Sequence, residues 1–542
     1  MTGGIQLQTP GGRQEIAAAD SDAALPLSEL LARRGFPLNT RCGGRGLCAG
    51  CEVELLSGSL RRGGDGEAVA GGKAVRVKSC QVRWARVPVE IAVPARSLLC
   101  HEPAVVSEFR INVPWAHDPL EREARYGAAV DVGTTTVALL LCDLATGNVV
   151  GEASAFNAQI RFGEDVLTRI QFCGTAGDAL ARLQRSVVAD TINPLLREAC
   201  KGAGVPASDV GVMSVAGNTT MLHLLAGVDP TPMGVHPFRP VFLGHRCYAA
   251  RELGLELGGD AAPVHLLPGP AAYVGADLAA GIAATGLLYD EGPALLVDVG
   301  TNGEIIAKVG GRLLGCATAA GPAFEGAGLA SGTRAVQGAI ERVHLQREPF
   351  AAELGVIGGA ACPIGICGSA YVDFLWEARR IGILQATGRF SGEFCSSAGE
   401  AVQADNHGRK LRLHAHGISG PIWVSEMDIS RLLQAKAAIA AGMATLLRLL
   451  GKAPCDVKRL YLAGGFGMHL SLEHAIGCGL LPGFATGQIQ VVGNTSLGGA
   501  FLALNDRSFL DEMTAACRAM EAVELNLQPG FEDTYIDQLA LP

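Results

Sequence analysis

Apolar and small residues fill positions 126–130, 137–141 and 294–297, and the first and last of these runs stop in short polar turns. A continuous apolar run ended by turn residues is the mark of a buried strand. The two turns are near copies: Asp131-Val132-Gly133-Thr134-Thr135-Thr136 and Asp298-Val299-Gly300-Thr301-Asn302-Gly303-Glu304, 167 positions apart. Further strands are predicted at 210–215, 305–309 and 457–461. Periodicity and caps predict helices at 166–172, 178–201 with a break at Pro194, 221–226, 277–285, 371–380 and 429–450, and a last one at 511–522. Ser425 to Asp428 caps the longest of these and Gly451 ends it. Residues 157–166 read as a polar loop, either plain surface or able to reach a partner or a cleft between the two turns, and 341–354 as a polar loop. Residues 315–327 carry too little bulk for an ordinary element, which suits a backbone lying close to something.

Ahead of this body, 5–8 and 14–17 read as a hairpin across Pro10-Gly11-Gly12, 25–34 as a helix ended by Gly35, and 53–55 and 87–91 as strands. Residues 94–125, with Pro103, Pro114 and Pro119, read as a linker with little regular structure.

At 542 residues the chain is too long for one core, and 49% hydrophobic against 18% charged residues marks it as globular. No run of 18 apolar residues occurs; the longest candidate, 437–447, lies between Lys436 and Arg448. The polar residues 3–13 do not read as a signal peptide. A cytoplasmic protein without a membrane partner is therefore expected. The net charge of −9, with the doublets Arg33-Arg34 and Arg61-Arg62 read as solvated surface, argues against nucleic acid. Sixteen cysteines in a chain of this kind point to a reduced compartment and to some thiols binding metal.

Cys42, Cys48 and Cys51 form C-x5-C-x2-C, and Cys80 follows after 28 residues. That is the 2Fe–2S ferredoxin pattern with a first gap one residue longer than the plant type. Zinc sites usually use paired C-x2-C units, and only one is present. Glycines 43, 44, 46 and 50 suit a loop wrapped around a cluster. Cys362 and Cys367, in an apolar glycine-rich run, read as packing. In the two polar turns glycine lets backbone N–H groups approach an anion, threonine adds donors, and a strand-end Asp can hold a divalent cation through water. Two such turns facing one another would grip a polyphosphate from both sides.

In order and spacing these turns, with Leu462-Ala463-Gly464-Gly465-Phe466-Gly467, resemble the phosphate-1, phosphate-2 and adenosine motifs of the acetate kinase/sugar kinase/Hsp70/actin superfamily. Joined to the cysteine pattern, to AAGPAFEGA at 319–327 and to GICGS at 365–369, the chain resembles the reductive activators of corrinoid-dependent methyltransferases. That resemblance implies a multidomain protein: an α+β, β-grasp 2Fe–2S ferredoxin domain (1–94), a linker (95–125), and an α/β actin-like ATPase domain of two duplicated RNase H-like halves (126–293 and 294–542). It implies ATP, Mg2+ and a 2Fe–2S cluster on Cys42, Cys48, Cys51 and Cys80. Asp131, Asp298 and Glu304 are then the catalytic carboxylates, the two Asp residues around magnesium. Gly133, Thr134, Thr135, Thr136, Gly300, Thr301 and Asn302 cradle phosphates, and Gly464 and Gly465 admit the adenosine.

The implied activity passes one electron to cobalt(II) on a corrinoid protein, giving cobalt(I), with ATP supplying free energy for the uphill step. A low-potential electron donor and a homodimer are further expectations. Two rivals are an electron donor of the 2-hydroxyacyl-CoA dehydratase type and an ATP-gated redox-sensing binding protein. The four-cysteine set argues against the first, and the short stretch after Gly499 against the second. A small extra domain carried by family members between linker and ATPase is expected to be absent here, since about thirty residues separate Pro94 from Tyr126. The loop 316–333, with the hydroxyls of Thr318 and Ser331, is expected on the corrinoid side.

Overall fold

The computed structural model describes residues 3–542 apart from 10–11, 39, 41–43, 47–49, 64–67, 72–74, 95–96, 98–107, 407 and 419. Cys42, Cys48 and the turn residues 10–11 lie outside the described residues. At the N-terminus, Gly3–Thr9 pairs antiparallel with Gly12–Ala18 and parallel with Val89–Ala92. Glu52–Ser57 and then Val75–Lys78 extend the sheet to five strands. Strand alternation turns Ile5, Leu7, Val53, Leu55 and Ile91 to one face, where they meet Leu27, Leu30 and Leu31 of the helix Leu27–Arg33.

Two six-stranded sheets follow, and the same topology is built twice. Tyr126–Val132, Thr136–Asp143 and Asn148–Phe156 form an antiparallel meander; Val210–Gly217 then adds parallel to the first strand, and Pro263–Leu266 adds beyond it. Ala294–Val299, Gly303–Val309 and Arg312–Thr318 repeat the meander, with Arg459–Ala463 and Ile489–Gly493 added in parallel. Parallel additions need crossovers, and helices such as Glu426–Leu449 supply them. Asp131 and Asp298 thus occupy equivalent places near the ends of equivalent first strands.

The expected division at 293/294 does not separate the cores. The helix Thr495–Asn505 leaves the second sheet and packs into the first, where Leu497, Phe501 and Leu504 join Val130, Leu139 and Val212. It lies so close to the helix Ala276–Thr285 that a Cβ on Gly499 would stand 2.3 Å from the Ala280 carbonyl oxygen. The described part of the expected linker is a strap across this joint. Arg110 N–H donates to Val492 (3.0 Å), Asn112 to Ala284 (3.0 Å) and Asp118 to Asn505 (3.0 Å).

Several local expectations change. Residues 341–354 are not loop: Ala339–Gln346 and Ala351–Val356 form a hairpin whose polar residues face outward while Val343 and Leu345 are buried. The predicted last helix is Ser508–Ala519, and a further helix, Phe531–Asp537, follows it. Asp178 makes no capping bond, and Pro194 sits in the first turn of Asn193–Ala203 rather than breaking a helix. Ser425 does cap the long helix, in a reciprocal box with Asp428. That helix, Glu426–Leu449, is long and apolar enough to cross a membrane by length and composition, but it is mostly buried inside the protein.

Candidate functional site

Asp131, Asp298, Glu304, both Gly-Thr turns and Gly464-Gly465 line one cleft of about 280 Å3 between the two sheets. Every residue expected to act on nucleotide or magnesium stands there. The first turn is tight: a Cβ on Gly133 would lie 2.5 Å from the Thr136 carbonyl oxygen. It is also held from behind. Asn157 donates to the Gly133 carbonyl (2.9 Å), Asn218 to the Thr134 hydroxyl (2.9 Å), and the buried Arg169 guanidinium to the Thr134 carbonyl. The polar segment after residue 156 therefore reaches the first Gly-Thr turn, with Asn157 and Gln159 buried. Gly464 has φ +91°, and a Cβ there would meet the Val299 carbonyl at 2.6 Å and Asp298 Oδ1 at 2.8 Å. Only glycine fits so close to the second turn.

The two turns touch. Thr135 Oγ1 and Thr301 Oγ1 are 3.1 Å apart. Glu325, from the AAGPAFEGA stretch, accepts from both: Thr135 at 3.2 Å on Oε2 and Thr301 at 3.0 Å on Oε1. That stretch folds against GICGS, where a Cβ on Gly368 would lie 1.7 Å from the Phe324 carbonyl oxygen. The low bulk of both motifs is thereby explained. Thr318 does not offer a surface hydroxyl: it is buried and donates to the Gly303 carbonyl at 2.9 Å. The Ser331 hydroxyl accepts from Trp423 N–H at 3.0 Å.

Asp131 is oriented from the C-terminal part of the chain, by Ser496 Oγ on Oδ1 (2.7 Å) and Asn494 Nδ2 on Oδ2 (3.0 Å). Asp277 joins the cleft from the start of its helix. Burial raises all of these carboxyls above their ordinary range. For Asp277 burial and the charge of Asp131 reach about 7; for Asp298 burial and the charges of Asp277, Asp131 and Glu325 also reach about 7. Asp131 is raised by burial against the pull of its two donors, and Glu304 by burial and the charges of Asp277 and Asp298. Among the described residues no three His, Cys, Asp or Glu side chains converge to hold a metal ion directly. A ring of crowded carboxyls that a divalent cation would relieve through water is the donor set magnesium prefers.

Asn218, Asp277, Glu325, Asn494 and Ser496 were not read from the sequence as site residues. Asn218 and Asn494 each look like ordinary helix caps, a role they also fill. The one signal for Asp277 was an acid opening an otherwise alanine-rich, buried helix.

In the N-terminal domain Cys51 is buried, and the adjacent Cys80 thiol pushes its own thiol far up, with burial adding. Gln81 Nε2 donates to the Gly44 carbonyl (2.7 Å) and lies 3.5 Å from Cys80 Sγ, and Lys78 Nζ donates to the Gly46 carbonyl (2.6 Å). Gly44 and Gly46 have φ of +76° and +73°. Two neighbouring thiols under a left-handed glycine loop fit a sulfur-ligated group. Elsewhere, Cys367 is buried 3.2 Å from the Ser369 hydroxyl while Cys362 is exposed.

Comparison with known proteins places this geometry. The family model for the RACo middle region matches residues 126–290, so the family's middle region, expected to be missing after the linker, is present there, and that for the C-terminal domain of RACo, the ASKHA domain, matches 292–542. The corrinoid activation enzyme RamQ of Eubacterium limosum is 31% identical over 427 residues, covering 76% of this chain and 69% of its own. The chain belongs to the RACo family of corrinoid activators. Within that family, the [Co(II) methylated amine-specific corrinoid protein] reductase of Methanosarcina barkeri is 27% identical over 438 residues, covering 77% of each chain. A solved structure of a reductive activator for corrinoid,iron-sulfur protein is 29% identical, with a TM-score of 0.71 over 99% of this chain and 98% of that one. The paired sheets and their cleft are the actin-like ATPase domain of this family.

Proposed function

We propose that this protein reactivates a corrinoid protein by delivering one electron to its cobalt(II), giving cobalt(I), in a step driven by MgATP. The observation that carries the proposal is the joining, in one member of the RACo family, of a cysteine-bearing N-terminal sheet to a cleft with two facing Gly-Thr turns. A 2Fe–2S cluster on Cys42, Cys48, Cys51 and Cys80, when bound, supplies the one-electron chemistry. The N-terminal hairpin, its parallel central strand and the helix packed on them support a β-grasp ferredoxin domain within residues 1–94. A separate low-potential donor refills it. No disulfide joins the thirteen described cysteines.

In the cleft, Thr135 and Thr301 hydroxyls and the backbone of both turns bind the phosphates. Asp131, Asp277, Asp298 and Glu304 would hold a magnesium ion, and Ser496 and Asn494 fix the orientation of Asp131. Gly464 and Gly465 leave room for the adenosine. Binding energy spent on closing the two sheets around the triphosphate is available to favour a state in which the partner accepts the electron. The test is anaerobic reduction of a cobalt(II) corrinoid protein by the pre-reduced protein, followed by visible absorbance with and without MgATP. Cobalt(I) formed only with MgATP supports the proposal. Equal reduction without nucleotide, or none with an intact cluster, defeats it.

A further inference from the structure

The hydroxyls that two facing turns would offer to a terminal phosphate are already taken by the chain itself. Thr135 comes from one turn and Thr301 from the other; both donate to the carboxylate of Glu325. We infer that Glu325 stands in the place of the γ-phosphate and is the residue that tells a triphosphate from a diphosphate. The inference rests on the cleft binding ATP, as proposed above.

A carboxylate is the side chain closest to a phosphate edge: planar, anionic, with two oxygens that only accept. Here one oxygen takes each threonine, as two phosphate oxygens would. A γ-phosphate cannot share those donors with Glu325, because two anions at contact distance repel. A diphosphate ends one phosphate short and leaves the carboxylate where it is. Release of Glu325 is therefore tied to the third phosphate.

The segment that carries Glu325 is placed to report that release. Phe324 packs on Phe466 of the adenosine turn, with ring centroids 5.2 Å apart. Downstream, Ala330 N–H donates to Asp428 Oδ1 (2.8 Å), and Ser331 accepts from Trp423 N–H. Gly321, Gly326 and Gly328 all have left-handed φ, and Gly328 and Ala330 are at the surface. One side chain thus links the phosphate end of the cleft to an exposed turn.

The test compares binding of MgADP and of a non-hydrolysable MgATP analogue to the full chain and to its Glu325→Ala and Glu325→Gln forms by calorimetry. Removing the competing carboxylate should tighten the triphosphate analogue by about tenfold or more, the size of one charge-assisted hydrogen bond, and leave MgADP unchanged. Glu325→Gln, which keeps the shape without the charge, should fall between. Retained MgADP binding shows that each variant is folded. Tryptophan emission gives a second readout: the analogue should change it in the unsubstituted chain but not in Trp423→Phe, and nucleotide-free Glu325→Ala should already show the changed emission. Unchanged or weaker analogue binding, an equal change for both nucleotides, or hydrolysis lost at unchanged affinity would each overturn the inference, the last by making Glu325 a catalytic group. No binding of either nucleotide to the unsubstituted chain would overturn the ATP reading along with it.

Discussion

Asp298→Asn removes one negative charge from the crowded cleft. The Asp298 carboxyl titrates at about 7 instead of 3.8, because burial and the charges of Asp277, Asp131 and Glu325 all oppose its ionisation. Its folded value lies above its unfolded one, so ionisation penalises folding. The penalty is absent below pH 4, grows as pH rises, and is complete above pH 7. At pH 8 it amounts to about 4 kcal/mol. Asparagine has the same shape and no charge. In metal- and nucleotide-free protein, Asp298→Asn should therefore be more stable by up to about 4 kcal/mol at pH 8, with the gain fading toward pH 4. Urea unfolding followed by tryptophan emission measures this, since Trp376 and Trp423 both lie in the second half of the ATPase domain. MgATP should reverse the order, stabilising the unsubstituted chain far more than the variant, because the variant lacks a carboxylate proposed to hold the ion. A variant no more stable than the parent at pH 8, or a gain that does not vary with pH, would refute the crowded-carboxyl account.

Gly368→Ala would drive a methyl group to 1.7 Å from the Phe324 carbonyl, so it should cost about 1–3 kcal/mol in thermal unfolding and weaken nucleotide binding together. Ser496→Ala takes away a 2.7 Å donor that holds Asp131 down; the acid limb of MgATP binding should move to higher pH, and stability should fall by about 1–3 kcal/mol. Cys80→Ser should abolish the visible absorbance gained on reconstitution with iron and sulfide while MgATP binding is unchanged, which a purely packing role for that thiol would not produce.

The parts of the site legible in the sequence were those whose chemistry forbids other residues. Gly133 and Gly464 sit where backbone must come close, and Asp131 and Asp298 interrupt runs that are otherwise apolar, so their pattern is readable without a structure. Asn494 and Ser496 were opaque because a cap sequence carries no sign of the carboxylate 363 and 365 positions away that it orients. Glu325 was hidden by its neighbours, since a stretch of alanine and glycine reads as close-packed backbone and draws attention away from its one charge. The 339–356 hairpin is hidden by its overall polarity and shows only in its alternation: Arg342 and His344 are exposed beside buried Val343 and Leu345. The crossing of Thr495–Asn505 into the first core is a matter of tertiary packing, and no local pattern encodes it.

That crossing sets the order of events during synthesis. The first sheet is made early, but the face that Leu497, Phe501 and Leu504 cover stays bare until residues near 500 have left the ribosome. Until then Val130, Leu139 and Val212 belong to a nascent chain with an open apolar surface, the kind that chaperones hold and that aggregates when crowded. Docking of this helix and completion of the cleft are thereby fused into one late step. A stop codon a short way before residue 495 would then cost more than the segment it removes: it would leave the half of the protein already made without its lid.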